Sequence, residues 1–137
     1  MSYLLDTNVV SELRKKHRSE RVVAWIQSVD SRELCVSVLA IGEIRLGIER
    51  LRHRGDHPQA DALEPWLQRL RVEFADRTLA VSSAIAERWG QLNAMQPLPI
   101  IDGLMAATAI EHDLTLVTRD AATLHASGVQ VFDPWVA

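Results

Sequence analysis

Five short apolar runs rich in leucine and valine, separated by longer segments with helical periodicity, limit the fold of this chain more than any other feature. The runs cover residues 3–5, 34–38, 78–81, 114–118 and 129–132. They lack the strict polar alternation of half-exposed strands, which is typical of parallel strands buried on both faces. The sequence therefore predicts an α/β fold in which a central parallel sheet is flanked by helices.

The segments between these runs predict amphipathic helices. They are 21–29, 59–74 and 102–112, together with a helix that begins after the capping residue Ser37 and a helix through Met95 that Ser82 and Ser83 can cap. Pro65 predicts a kink in the segment 59–74, or a junction between two shorter helices. A loop is predicted over 52–58, because Gly55 and Pro58 interrupt the helical pattern.

The composition fits one globular domain covering residues 1–137. Apolar residues make up 47% of the chain and charged residues 24%, which is ordinary globular usage. The net charge of -3 argues against nonspecific coating of nucleic acid, although it is compatible with a local basic patch.

The number of cysteines and the hydropathy of the chain indicate the cellular compartment. Cys35 is the only cysteine, so no disulfide can form within the chain and a reducing environment is expected. Its apolar neighbours predict a buried thiol rather than a nucleophile. No apolar run reaches the ~18 residues needed to cross a bilayer. We therefore expect a cytoplasmic protein without a membrane segment.

Two aspartates stand close behind predicted strands. Asp6 follows the first run and Asp120 follows the fourth. The carboxyl ends of parallel strands meet at one edge of a sheet, where open α/β sheets bind their ligands. Each aspartate also has a simpler interpretation as a helix N-cap. Position alone leaves both roles open.

Glu43 and Asp102 are two further candidate acids. Glu43 falls on the helix after the second run, with the small residues Ala40 and Gly47 on the same face. Asp102 begins an alanine-rich helix, where an acid also complements the helix dipole. Taken singly, a solvated glutamate and a helix cap are the ordinary interpretations. Together with the two strand-end aspartates, these acids predict an oxygen-rich pocket.

Carboxylates that lie within a few ångström of one another repel and become protonated unless a cation keeps them ionised. Mg²⁺ suits such a site, because it is bound by carboxylate oxygens with retained waters and substrate phosphate. A divalent ion can activate water and stabilise the entering and leaving oxygens of a phosphoryl transfer. The four acids therefore predict metal-dependent chemistry at a phosphate.

Basic residues near the acids in sequence fit a substrate that contains phosphate. A basic run follows the first short helix, and two more arginines lie beside the acids. These residues are Arg14, Lys15, Lys16, Arg18, Arg45 and Arg119. A basic run alone is usually a solvated loop, but beside four acids it predicts contacts with the phosphates of a nucleic acid.

Four sequence blocks carry a resemblance to a known family. The blocks are LLDTNVVSEL, SVLAIGEIRLGI, LPIIDGLMAATAIEHDLTLVTRD and GVQVFDPW. They span nearly the whole chain, and each of the first three contains a candidate acid. Together they resemble the PIN-domain toxins of bacterial toxin-antitoxin systems, in particular the VapC and FitB group of ribonucleases.

The resemblance implies a PIN fold with a Mg²⁺- or Mn²⁺-dependent endoribonuclease site. The family's four acids fall on Asp6, Glu43, Asp102 and Asp120. By resemblance, these acids are the catalytic metal ligands. Thr118 falls at the family's threonine or serine, and Asn8 matches the asparagine that commonly supports the first aspartate.

One departure from the family pattern concerns the metal. Related sequences often continue the third block with an Asp-Phe pair, where this chain has Thr123 and Leu124. Asp120 is therefore left as the one acid of its turn, and whether one or two metal ions bind stays open.

The resemblance also implies partners. The family toxins are usually held inactive by a small cognate antitoxin whose C-terminal segment lies across a groove and reaches the acids. They commonly form homodimers. By resemblance we expect an antitoxin, an RNA substrate and a homodimer for this chain.

Other functional assignments are less well supported by the sequence. His53 and His57 are four residues apart, but Gly55 between them predicts a turn and no second pair of zinc ligands follows. A serine hydrolase lacks its G-x-S-x-G motif, and Asn8 stands where the commonest phosphoaspartyl motif has a second aspartate. The main alternative is a non-catalytic PIN-fold module that binds an antitoxin or nucleic acid. A binding module has no reason to assemble four mutually repelling acids.

Overall fold

The computed structural model describes residues 1–136, so the last residue of the domain predicted over 1–137 lies outside the described part. The strands are β1 Tyr3–Leu5, β2 Leu34–Ser37, β3 Thr78–Leu79, β4 Thr115–Val117 and β5 Val131–Phe132. The helices are α1 Thr7–Glu12, α2 Glu20–Ser28, α3 Val38–His53, α4 His57–Glu73, α5 Ser83–Met95, α6 Ile100–Glu111 and α7 Ala121–His125. Two short 3-10 turns cover Ser31–Glu33 and Ala75–Arg77.

The strands form one parallel sheet in the order β3-β2-β1-β4-β5. β1 lies at the centre, where Tyr3 pairs with Leu34 of β2 on one side and Thr115 of β4 on the other. The chain therefore runs outward from β1 to β3 and then returns to build the opposite half. This reversal places a topological switch point between β1 and β4, where ligands bind in open sheets. The predicted parallel α/β architecture is confirmed.

Neighbouring residues of the central strands point to opposite faces of the sheet and enter two separate apolar clusters. Leu5 and Val117 pack with α1 to α4 on one face. Leu4 and Leu116 pack with α6 and α7 on the other. All four side chains are at most 1% exposed, and burying such a side chain stabilises the fold by about 1.5–3 kcal/mol.

The strands β3 and β5 are shorter than the apolar runs 78–81 and 129–132, and two further predicted boundaries are wrong because of a helix terminus. Val38, predicted to end the second strand, is the first residue of α3, since the Ser37 hydroxyl accepts the Leu39 N–H at 3.0 Å and caps the helix. The loop predicted over 52–58 shrinks to residues 54–56. Pro58 lies in the first turn of α4, where a missing N–H costs nothing.

Two predicted helices also differ from their expected form. α4 is continuous through Pro65, so the predicted junction between two shorter helices is wrong. α6 begins at Ile100, two residues before Asp102, and the aspartate lies in its first turn. Cys35 is half-buried rather than buried as predicted, and this partial burial raises the pKa of its thiol. Within residues 1–136, the structure contains no helix of the length and apolarity that crossing a membrane requires.

Candidate active site

Asp6 lies at the carboxyl end of β1, beside the switch point, with only 6% of its surface exposed. Its Oδ1 accepts the Thr7 N–H at 2.8 Å, which makes Asp6 the N-cap of α1. Its Oδ2 accepts the Thr118 hydroxyl at 2.7 Å. Each carboxylate oxygen offers two lone pairs, so the cap and a ligand role are compatible in this residue.

Thr118 links Asp6 to the turn that carries Asp120. It follows β4, is fully buried, and its hydroxyl oxygen accepts the Asp120 N–H at 3.0 Å while donating to Asp6. Asp120 precedes α7, but its carboxylate makes no capping hydrogen bond. Its side chain is exposed at the same edge of the sheet as Asp6. The carboxylate of Asp120 is therefore available to a ligand.

Glu43 reaches the site from α3. Its Oε1 accepts the Thr7 hydroxyl at 2.5 Å. The two residues line an open cavity of about 270 Å³ between α1, α3 and α4. Gly47, one turn further along α3, lines the same cavity, and a Cβ atom built on it would meet nothing within 4 Å. The space that the small residue was predicted to leave beside Glu43 is present.

Asp102 is half-buried in the first turn of α6, and no hydrogen bond to its carboxylate is formed within residues 1–136. α6 packs closely on α5 at this point, because a Cβ atom on Gly103 would lie 3.0 Å from the Trp89 ring. This close packing fixes the position of the helix turn that carries Asp102.

The electrostatics indicate that the acids converge. Burial raises the pKa of Asp6 above its ordinary 3.8, the hydrogen bonds from Thr118 and Thr7 offset part of this, and the charges of Asp102 and Glu43 raise it further. Burial also raises the pKa of Asp102, and the charges of Asp120 and Glu43 add to the effect. The charges that act on buried Asp6 and half-buried Asp102 are all negative. Such a site is electrostatically unbalanced without a bound cation.

The donor set fits a hard divalent cation that retains water. All four side chains offer carboxylate oxygens, the ligands that Mg²⁺ prefers. Within residues 1–136, no three His, Cys, Asp or Glu side chains are already gathered closely enough to enclose a metal ion. Mg²⁺ is commonly held by one or two carboxylates with several waters, so an open arrangement of acids suits it better than a closed zinc-type cage.

Asn8 was predicted to support Asp6, but within residues 1–136 it forms no hydrogen bond to that aspartate. Within the described residues, the hydrogen bonds to Asp6 come from Thr7 and Thr118, and Asn8 Oδ1 is buried without a partner. Thr118 contacts Asp6 and Asp120, and its supporting role stays a prediction. The sequence reasoning missed Thr7, although its position between a strand-end acid and a helix was a usable signal.

The basic residues predicted to contact phosphate differ in whether an acidic side chain already binds them. Arg14 lines the cavity that Glu43 also lines. Arg45 instead holds Glu64 with two hydrogen bonds of 2.7 Å, on a different face of α3 from Glu43. Arg45 is therefore engaged by Glu64, whereas Arg14 borders the same cavity as Glu43.

The remaining predicted basic residues lie around the end of α1 and the turn after β4. Lys15 pairs with Glu12 at 3.0 Å, and Arg18 donates to the Leu13 carbonyl. The Arg119 guanidinium stacks 4.3 Å above the Trp135 ring. Lys16 is exposed to solvent.

A sequence model of the PIN domain family matches residues 3–128. The chain belongs to the PIN domain family. The matched segment carries all four acids of the site, together with Thr7 and Thr118. The predicted PIN fold is therefore confirmed, and the roles of the acids stay a prediction.

Two relatives match this PIN domain over most of its length. Toxin FitB of Neisseria gonorrhoeae is 35% identical, with 96% of this chain and 97% of the relative covered. Ribonuclease VapC14 of Mycobacterium tuberculosis is 37% identical, with 72% of this chain and 85% of the relative covered. The predicted resemblance to the VapC and FitB group is confirmed.

Solved structures agree with this assignment of the PIN domain. A chain of FitAcB from Neisseria gonorrhoeae superposes with a TM-score of 0.89 at 33% identity, with 98% of this chain and 99% of that chain covered. A chain of a toxin-antitoxin complex from Klebsiella pneumoniae superposes with a TM-score of 0.71 at 23% identity, with 97% and 98% of the two chains covered. The second similarity concerns the fold alone.

Proposed function

We propose that this PIN domain is a Mg²⁺- or Mn²⁺-dependent endoribonuclease that acts as the toxin of a toxin-antitoxin pair. The proposal is carried by one observation, that the four acids act on one another electrostatically: the charges of Asp102 and Glu43 raise the pKa of Asp6, and those of Asp120 and Glu43 raise the pKa of Asp102. RNA as the substrate is supported by the similarity to a relative named as a ribonuclease.

Asp6, Glu43, Asp102 and Asp120 would hold the metal ion. When bound, a divalent ion supplies activation of water and neutralisation of phosphate charge. The chain's own contribution is to fix the carboxylates: Thr118 and Thr7 each donate a hydrogen bond to Asp6, which holds its orientation. Burial of Asp6 excludes water from one side of the site. Because these carboxylates are already held in position, they need to move little during the reaction.

The RNA strand is proposed to approach along the cavity between α1, α3 and α4. Arg14 lines this cavity beside Glu43, where it can contact a phosphate. Sequence-specific proteins read RNA mainly at unpaired bases, so a loop in a tRNA or another structured RNA is the proposed target. Sequencing RNA ends after brief induction in cells tests this, and ends without a shared sequence or loop would contradict it.

The decisive experiment is cleavage of RNA by the purified chain, free of any antitoxin. We expect cleavage with Mg²⁺ or Mn²⁺, none with excess EDTA, and a loss of at least about 100-fold in the Asp6→Asn variant, because removing a metal ligand or its partner costs 10–100-fold or more. Lack of cleavage with either metal, or wild-type cleavage by Asp6→Asn, would instead support a non-catalytic PIN module.

We propose two protein partners, a cognate antitoxin and a second copy of the chain. The antitoxin is supported by the similarity to a protein named as a toxin. Expression of the chain alone should stop growth, Asp6→Asn should relieve the arrest, and co-expression of the antitoxin should do the same. Light scattering of the purified chain tests the dimer. The cytoplasmic location stays a prediction.

A further inference from the structure

Thr7 contacts two of the four acids through different atoms. Its N–H donates to Asp6 Oδ1 at 2.8 Å, and its hydroxyl donates to Glu43 Oε1 at 2.5 Å. Asp6 directly follows β1, while Glu43 is carried by α3, 36 residues away from Thr7. Within residues 1–136, Thr7 is the residue that hydrogen-bonds to both acids.

The hydroxyl of Thr7 is not needed to form the helix that it begins. The α1 helix is capped by the Asp6 side chain through the Thr7 backbone N–H. The side-chain hydroxyl is directed to another element instead. Its bond to Glu43 therefore serves the contact between α1 and α3 rather than the start of α1.

Glu43 lies close enough to two other acids for its charge to act on them. Its negative charge acts on both Asp6 and Asp102, and like charges repel. A glutamate on an open cavity has several rotamers that would carry its carboxylate away from the other acids. The hydrogen bond from Thr7 selects the rotamer that keeps Glu43 beside Asp6.

We propose that Thr7 is a positioning residue that holds Glu43 next to Asp6 for binding of a divalent metal ion. The inference rests on the proposed metal-dependent function. The Thr7 hydroxyl occupies Oε1 of Glu43 and leaves Oε2 without a hydrogen bond from the described residues. One oxygen thus fixes the side chain while the other stays available as a ligand. Residues that orient metal ligands in this way typically change metal affinity by about 10–100-fold.

Calorimetric titration of the antitoxin-free chain with MnCl₂ tests this role without requiring cleavage. Thr7→Val removes the hydroxyl but keeps the backbone N–H to Asp6 and the β-branched shape. We expect the Kd for Mn²⁺ to rise by about 10–100-fold. Thr7→Ser retains the hydroxyl and should keep the Kd within about threefold of wild type.

Thr78→Val is the matched control. The Thr78 hydroxyl also donates to an oxygen, the Phe74 carbonyl at 2.7 Å, but on the edge strand β3 away from the acids. Its loss should leave the Kd for Mn²⁺ unchanged. Thr7→Ala provides a second variant if the valine variant does not fold, and it should weaken Mn²⁺ binding to the same extent.

A double-mutant cycle identifies the residue through which Thr7 acts. If it acts through Glu43, Thr7→Val should have no further effect on Mn²⁺ affinity in a Glu43→Ala background. An equal loss of Mn²⁺ affinity in the wild-type and Glu43→Ala backgrounds would overturn the positioning role. Wild-type Mn²⁺ affinity in folded Thr7→Val and Thr7→Ala would overturn it as well. Absence of Mn²⁺ binding by the wild-type chain would overturn the proposed function as well, so the two failures are distinguishable.

Discussion

The Thr118 hydroxyl donates a 2.7 Å hydrogen bond to Oδ2 of Asp6, although the two residues are 112 positions apart in sequence. Both side chains are buried, and the same hydroxyl oxygen accepts the Asp120 N–H. The carboxyl ends of β1 and β4 are thereby joined across the switch point of the sheet. One buried threonine couples the position of the first acid to that of the last.

Thr118→Val should destabilise the protein, because it removes a hydrogen bond from a buried carboxylate and leaves the Asp120 N–H without its acceptor. We expect the free energy of unfolding to fall by about 1–3 kcal/mol, measured by urea denaturation. Thr115→Val on the same strand is the control, since the Thr115 hydroxyl makes only a 3.5 Å contact with Gln130. Equal losses in the two variants would contradict the prediction.

Asp102→Asn should stabilise the metal-free protein at neutral pH. The folded state raises the pKa of Asp102 above 3.8 through burial and the charges of Asp120 and Glu43. An acid with a raised pKa in the folded state lowers stability as the pH rises through that value. The amide has no charge to bury, so the variant should unfold at a higher temperature in EDTA.

The difference in thermal stability between Asp102→Asn and wild type should be greatest near pH 7. It should shrink as the pH falls through the raised pKa of Asp102. It should vanish below the ordinary value of 3.8, where the carboxyl is protonated in both states. Thermal unfolding at several pH values measures it. Other carboxylates titrate in both proteins, so the difference between the two isolates Asp102. A pH-independent difference would contradict the electrostatic explanation.

Arg14→Ala should weaken RNA binding more than Arg45→Ala. Arg14 lines the cavity beside Glu43, whereas the Arg45 guanidinium is held by Glu64. Binding is measured in an Asp6→Asn background, so that the RNA stays intact. Loss of one phosphate contact should reduce the slope of log K against log salt by about 0.7 in Arg14→Ala, with no change in Arg45→Ala. The reverse order would restore Arg45 as the phosphate contact.

Arg77→Ala should destabilise the fold without affecting metal binding. The Arg77 guanidinium donates to the carbonyls of Ser31, Leu34 and Glu73, and thereby ties the end of α4 to β2. We expect a loss of about 2–4 kcal/mol in urea unfolding.

Arg77→Lys should recover little of this loss, because an ammonium cannot reproduce the planar fork of donors. Arg71→Ala, at an exposed position of α4, is the control and should change stability by no more than about 0.5 kcal/mol. A full recovery by lysine would show that charge, rather than geometry, is what the site requires.

The parallel sheet was predictable, and the four candidate acids could be proposed, because both depend on local patterns. Short apolar runs mark strands buried on both faces, and the acids stand at strand ends or helix beginnings that these patterns locate. The predicted boundaries failed at Val38 and over 52–58. There a serine cap and a proline in a first helical turn extend the helices beyond the apolar pattern.

The amino-acid sequence by itself determined the order of strands and helices along the chain and the family to which the chain belongs, and it predicted the edge of the sheet at which the acids gather. Only the tertiary structure decided which side chains those acids bind. The Thr7 hydroxyl could have capped α1 but contacts Glu43, and Arg45 could have faced phosphate but holds Glu64. Hydrophobic periodicity acts along the chain and can be read locally. A hydrogen bond or ion pair depends on the distance between atoms of different elements, which is fixed only when the helices pack on the sheet.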